Sequence, residues 1–163
     1  MIEHKMVSSS EIRQLISEGD VSLAGKLLGY HYSVEGRVVK GKEIGKRLGF
    51  PTANIRMIDE HKLVPLTGVY AVKVEIDKIY YNGMMNIGVR PTIAEQIHNL
   101  TIEVHILNFN SDIYGRDIRL HLIERIRDEK KFGNTDELVE QLKCDKVKIN
   151  RIFGSLSNKN NIS

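Results

Sequence analysis

The chain has 163 residues, 41% of them apolar and 28% charged, with a net charge of +3. This is one globular domain's worth of chain with enough apolar side chains for a core, which excludes a disordered protein. No apolar run reaches the roughly 18–20 residues of a membrane span. The N-terminal stretch MIEHKMVSSSE lacks the apolar region of a secretory signal. The single cysteine, Cys144, excludes an internal disulfide and a Cys-built metal site. A reducing cytoplasm is therefore the expected compartment, with no membrane partner. The mild positive charge permits an anionic ligand such as a nucleotide. The absence of Trp and an aromatic content of 6% argue against a base-stacking nucleic-acid surface.

Ser8 and Glu11 have capping-box spacing, and Ile12, Leu15 and Ile16 follow on one helical face. Gly19-Asp20 breaks this helix, and Asp20 is placed to cap a second one. Val21, Ala24, Leu27 and Leu28 form its stripe and Gly29 ends it. From Tyr30 onward the pattern is that of strands. Val34, Val38 and Val39 surround Gly36. In Val69–Ile76, Val72, Val74 and Ile76 alternate with Lys73 and Glu75. Asp77-Lys78 is a turn, from which Ile79–Ile87 returns. In Thr101–Phe109, Ile102, Val104 and Ile106 face one way and Thr101, Glu103 and His105 the other. Ile118–Ile126 is a further strand. Five or more strands joined by short turns predict a mainly β fold, an antiparallel sheet or barrel. Asn134 and Glu137 then start a long C-terminal helix with apolar positions at Leu138, Leu142, Val147 and Ile149. Ser155–Ser163 reads as a frayed polar tail.

Six segments could carry chemistry. Gly36–Asn54 holds four glycines, five basic residues and one proline in 19 positions. Such a segment can cradle phosphate through backbone N–H groups, or it can be a solvated basic loop. It is not a Walker A motif, because three residues separate Gly41 from Gly45 and Arg47 follows Lys46. Thr52 and Asn54, two residues apart on an extended segment, point to one side. They are hard oxygen donors suited to Mg²⁺ shared with phosphates, or ordinary residues at the start of a strand. Glu103 is a carboxylate mounted mid-strand, a good position for a general base, or a solvated face residue; His105 shares its face. Asn86–Thr92 opens a glycine-proline loop, Tyr114-Gly115 forms a turn, and Arg127–Phe132 is a charged approach to the last helix. No nucleophile motif and no histidine pair at zinc spacing is visible.

Several of these segments occur together, in this order, in one family. Leu48-Gly49-Phe50-Pro51-Thr52-Ala53-Asn54 resembles the nucleotide and metal motif of riboflavin kinases. Gly68-Val69-Tyr70, Asn86–Thr92, Glu103-Val104-His105, Tyr114-Gly115, Arg127–Phe132 and Asp136-Glu137-Leu138 are similar to that family's later signatures. The N-terminal Ser8–Arg13, Gly19-Asp20-Val21 and Leu27-Leu28-Gly29 resemble the end of the FAD synthetase module of bacterial bifunctional enzymes.

The resemblance implies a six-stranded antiparallel Greek-key barrel with a long C-terminal helix and short N-terminal helices. It divides the chain into a helical remnant at 1–28, a kinase barrel with its helix at 29–154 and a disordered tail at 155–163. The reaction it implies converts riboflavin and ATP to FMN and ADP. By position, Glu103 is the catalytic base, and Thr52 and Asn54 hold Mg²⁺. Gly41, Gly45, Lys46, Gly49 and Tyr114 meet ATP, and Arg127 borders the flavin. Lys46 stands where the family often has Arg, which keeps the charge and loses the fork. Adenylylation is expected to be absent, since the upstream H-x-G-H region is missing, and a natural linkage to an FAD synthetase module is expected. Two other readings are a flavin- or nucleotide-binding barrel without turnover and an OB-type nucleic-acid barrel.

Overall fold

The computed structural model describes residues 8–40, 49, 51–90 and 99–160. Helix α1 spans Ser9–Ser17, and the Ser8 side chain accepts a hydrogen bond from the Glu11 N–H at 3.2 Å. Helix α2 spans Val21–Leu28. Asp20 caps it by accepting from the Leu23 N–H, and Gly29 closes it in the left-handed conformation, φ 84°. Each cap satisfies a backbone group that the helix leaves unpaired at its end.

Six strands follow: β1 (Ser33–Val39), β2 (Ala53–Met57), β3 (Gly68–Ile76), β4 (Ile79–Arg90), β5 (Asn99–Ile106) and β6 (Asp117–Arg127). They close into an antiparallel barrel in the order β1-β2-β5-β4-β3-β6. Strand β2 lies beside β5 instead of β3, which is the Greek-key crossover. The β3–β4 hairpin turns on Asp77 and Lys78, both at positive φ, and its register closes on Ile76 opposite Ile79. Two positive-φ residues suit a two-residue hairpin, because that turn matches the twist of the strands. Helix α3 spans Thr135–Asn160. It runs past Ser155, where the polar composition predicts a tail. Adding a residue to an existing helix costs little, and no proline interrupts this stretch.

Alternation decides which side chains go inside. Val34, Val38, Ile55, Val72, Val74, Met85, Ile87, Ile102, Val104 and Leu120 fill the barrel, and Ile16, Val21 and Ala24 of the two N-terminal helices join the same cluster. A second apolar cluster lies outside the barrel. There Val69 and Ala71 of β3, Met84 of β4 and Ile123 of β6 pack under Ile149 and Phe153 of α3. Strand β3 is therefore buried on both faces near its start. Val147, read as an apolar helix position, is exposed, while Ile149 is fully buried.

Candidate functional site

The outer faces of β2, β5 and β4 carry a polar row. Asn54 is the register partner of Glu103, and Glu103 is the register partner of Asn86. Each neighbour on this row alternates with core residues: Ile55 beside Asn54, Ile102 and Val104 beside Glu103, and Met85 and Ile87 beside Asn86. Directly opposed side chains on an antiparallel pair have Cβ atoms about 4.5–5.5 Å apart. All three are half-buried. Beyond Asn86 the register line leaves the polar row, passing through the apolar Val69 of β3 to Arg127 of β6.

Thr52 precedes β2 by one residue and lies on the same side as Asn54 by the period of two. Both line a cavity of about 230 Å³ with Lys40, Pro51, Asp112 and Tyr114. Tyr114 stands exposed at the end of a turn in which its N–H donates to Asp112 Oδ1 at 2.9 Å. The Lys40 ammonium lies 5.4 Å from the centre of the Tyr114 ring. Gly115, at φ 81°, donates its N–H to the Val38 carbonyl and so ties this turn to β1. The cavity thus offers a cation, an aromatic ring, a hydroxyl and an amide on one wall. Two hard oxygen donors beside a cation suit a divalent metal shared with phosphate oxygens. Among the described residues no group of three or more His, Cys, Asp or Glu could hold a metal by itself.

His105 is buried, against the reading of its strand face as solvated. Its Nδ1 lies 2.8 Å from the Pro51 carbonyl, to which it donates. Burial lowers its pKa below the ordinary histidine value, so the neutral ring is favoured. The hydrogen bond staples β5 to the segment that carries Thr52. Alternation along β5 could show only that His105 shares a face with Glu103. That Pro51 covers it is a tertiary fact.

Arg127 stands further along the same register line and does not line the cavity. Its Nε and Nη2 donate to the Asp145 carboxylate at 2.8 to 3.0 Å, and Asp145 is fully buried. Gln141 donates to the same carboxylate, and the Arg127 guanidinium lies 5.9 Å from the Phe132 ring centre. Arg127 thus anchors α3 to the barrel through a bidentate pair. Beside this anchor the segment Lys130–Phe132 and the first turns of α3 enclose a second cavity of about 570 Å³. Gly88, read as part of a loop, sits inside β4, and a Cβ there would lie 2.2 Å from the Glu129 carboxylate. Its lack of a side chain lets the charged segment approach the strand.

The structure therefore brings Thr52, Asn54 and Tyr114 to one cavity and sets Glu103 beside Asn54. Gly49 takes a positive φ of 83°, as a glycine turn requires. Gly41, Gly45 and Lys46 lie outside the described residues.

A family model described as flavokinase, riboflavin kinase, matches residues 28–153. A bifunctional riboflavin kinase/FMN adenylyltransferase from Bacillus subtilis is 43% identical over 155 residues, covering 94% of this chain and 49% of its own length. Its counterpart from Escherichia coli K12 is 40% identical over 91% of this chain and 46% of its own. The chain thus spans about half the length of these curated relatives. A solved structure from Streptococcus pneumoniae, titled a macrolide-efflux protein, superposes with a TM-score of 0.81 at 42% identity, over 86% of this chain and 45% of its own. The riboflavin kinase of Trypanosoma brucei shares the fold, with a TM-score of 0.52 at 24% identity, over 75% of this chain and 79% of its own. The match over most of the barrel and its helix settles the kinship: the chain belongs to the riboflavin kinase family.

Proposed function

We propose that this chain transfers the γ-phosphate of ATP to the ribityl 5′-hydroxyl of riboflavin, giving FMN and ADP. The observation that carries the reading is the placement of Thr52 and Asn54 on one cavity wall with Glu103 directly opposite Asn54. Family membership supplies the substrates. The triphosphate lies along the wall formed by Lys40, Thr52, Asn54 and Tyr114, with Gly41, Gly45, Lys46 and Gly49 as further phosphate contacts by motif. Thr52 and Asn54 are the residues that would hold Mg²⁺, which when bound offsets charge on the phosphate oxygens.

Glu103 accepts the proton of the 5′-hydroxyl as its oxygen bonds to the γ-phosphorus. The bond from that phosphorus to the β,γ-bridging oxygen breaks, and ADP leaves with the electron pair. Phosphoryl transfer needs positioning and charge neutralisation more than covalent help. A base on a strand meets that need, because the barrel holds its backbone rigid. Arg127, through Asp145, fixes the helix that borders the second cavity, and the flavin ring lies on that side. No helix among the described residues is long and apolar enough to cross a membrane. We place the activity in the cytoplasm, and propose that the chain works joined to an adenylyltransferase module like those in its relatives' names.

The test is incubation with riboflavin, ATP and Mg²⁺, separation of the flavins by chromatography, and omission of each component in turn. ATP-dependent FMN without FAD is expected. FAD as well would overturn the expected absence of adenylylation. Bound riboflavin with no FMN would replace the kinase with a binding module.

A further inference from the structure

Asn86 is the third member of the polar row, and its place there is not explained by packing. Its side-chain Oδ1 is buried and, among the described residues, has no hydrogen-bond partner. The register shows why. On one side its cross-strand neighbour is Val69, a buried hydrocarbon. On the other it is Glu103, a carboxylate that accepts but does not donate when ionised. The Nδ1 of the nearby His105 is already committed to the Pro51 carbonyl. Among the described residues no donor meets this oxygen. A buried acceptor left unpaired is destabilising, because it has given up water and gained no donor. An apolar residue would serve this position better if packing under α3 were its only task, as Met84, two residues earlier on the same face, illustrates.

We propose that Asn86 is a substrate-positioning residue whose side-chain carbonyl accepts a hydrogen bond from a hydroxyl of the ribityl chain next to the one that is phosphorylated. This rests on the kinase reading above. Neighbouring strands are about 4.8 Å apart, so a polyol whose terminal hydroxyl faces Glu103 carries its next hydroxyl toward the adjacent strand, where Asn86 stands. The residue as a whole is half-buried, so part of it meets solvent. Its oxygen turns outward by rotation about the Cβ–Cγ bond, which has a broad energy profile. The hydroxyl then donates, the orphan acceptor is satisfied, and the polyol is held in register with the base.

The experiment crosses two changes: Asn86→Ala in the protein, and removal of the 4′-hydroxyl from riboflavin. Wild type is expected to lose roughly threefold to tenfold in kcat/KM on 4′-deoxyriboflavin, the factor of one neutral hydrogen bond. Asn86→Ala is expected to lose a similar factor on riboflavin, to lose little more on the deoxy analogue, and to keep its KM for ATP. Asn86→Ser, which retains a short oxygen acceptor, recovers part of the loss, and Asn86→Leu, similar in size with no acceptor, replaces the alanine variant in the cycle if that variant does not fold. Independent, multiplying losses would overturn the inference, as would an Asn86→Ala protein within twofold of wild type on riboflavin. Failure of wild type to form FMN from riboflavin would instead overturn the kinase reading itself.

Discussion

The two halves of the barrel's outer surface share a backbone pattern and differ in what covers them. On β3, β6 and the middle of β4, Val69, Ala71, Met84 and Ile123 lie beneath Ile149 and Phe153 of α3. On β2, β5 and the next outward position of β4, the same outer face carries Asn54, Glu103 and Asn86. Strand alternation alone assigns all these positions to the outside. The helix decides which of them become a second core. The difference separates stability from chemistry: substitutions under α3 should unfold the protein, and substitutions on the polar row should disable it while it remains folded.

The sharpest break of the comparison is Glu103→Gln. A general base contributes about 10²–10⁴-fold, so kcat should fall at least tenfold while flavin binding and thermal midpoint persist. Near wild-type turnover would remove Glu103 from the mechanism. On the covered side, Asp145→Ala leaves Arg127 without its buried partner, a loss of about 3–5 kcal/mol. Urea unfolding measures it, and an unchanged midpoint would show that α3 is held by other contacts. Phe153→Ala removes an aromatic ring that lies under the Lys73 ammonium, 4.6 Å from its centre. It should cost about 3 kcal/mol in the same assay, and a smaller loss would show that the helix end repacks.

Thr52→Ala and Asn54→Ala each remove one oxygen donor, and should raise the Mg²⁺ concentration needed for half-maximal rate without moving the urea midpoint. An unchanged Mg²⁺ dependence contradicts the assignment. The smallest effect is on pH. Burial holds the folded-state pKa of His105 below 6.5, so below that pH the unfolded chain binds the proton that the folded one refuses. The stability this group contributes is present above pH 6.5 and is lost as pH falls toward the lowered value. His105→Gln should flatten that acid limb of a stability profile, and a profile parallel to wild type would assign the limb to other groups.

The strands of β3 and β5 were legible because Val72, Val74 and Ile76, and Ile102, Val104 and Ile106, alternate with polar residues. The short β2 was legible only as an extended segment, since five residues beside a proline leave too little pattern to name a strand. Both N-terminal caps read directly from Ser8 and Asp20, whose side chains act within three residues of their own positions. Thr52 and Asn54 were visible as a pair because their spacing is local. Asn86 stands in sequence where the returning strand meets a glycine-proline loop, and its significance comes from its strand partners Glu103 and Val69; the burial of His105 is hidden from the sequence because the residue that covers it is 54 positions away.

Alternation, caps and turn residues by themselves determined that this chain forms strands closed by short turns between helices, because those choices rest on contacts within a few residues. The motif order likewise determined the family. The tertiary structure alone decided that the outside of β3 is a second core, that Arg127 is spent on Asp145, and that Asn54, Glu103 and Asn86 stand side by side on three strands. Register across strands far apart in the chain is fixed only when the barrel closes and each inner face finds its packing partners.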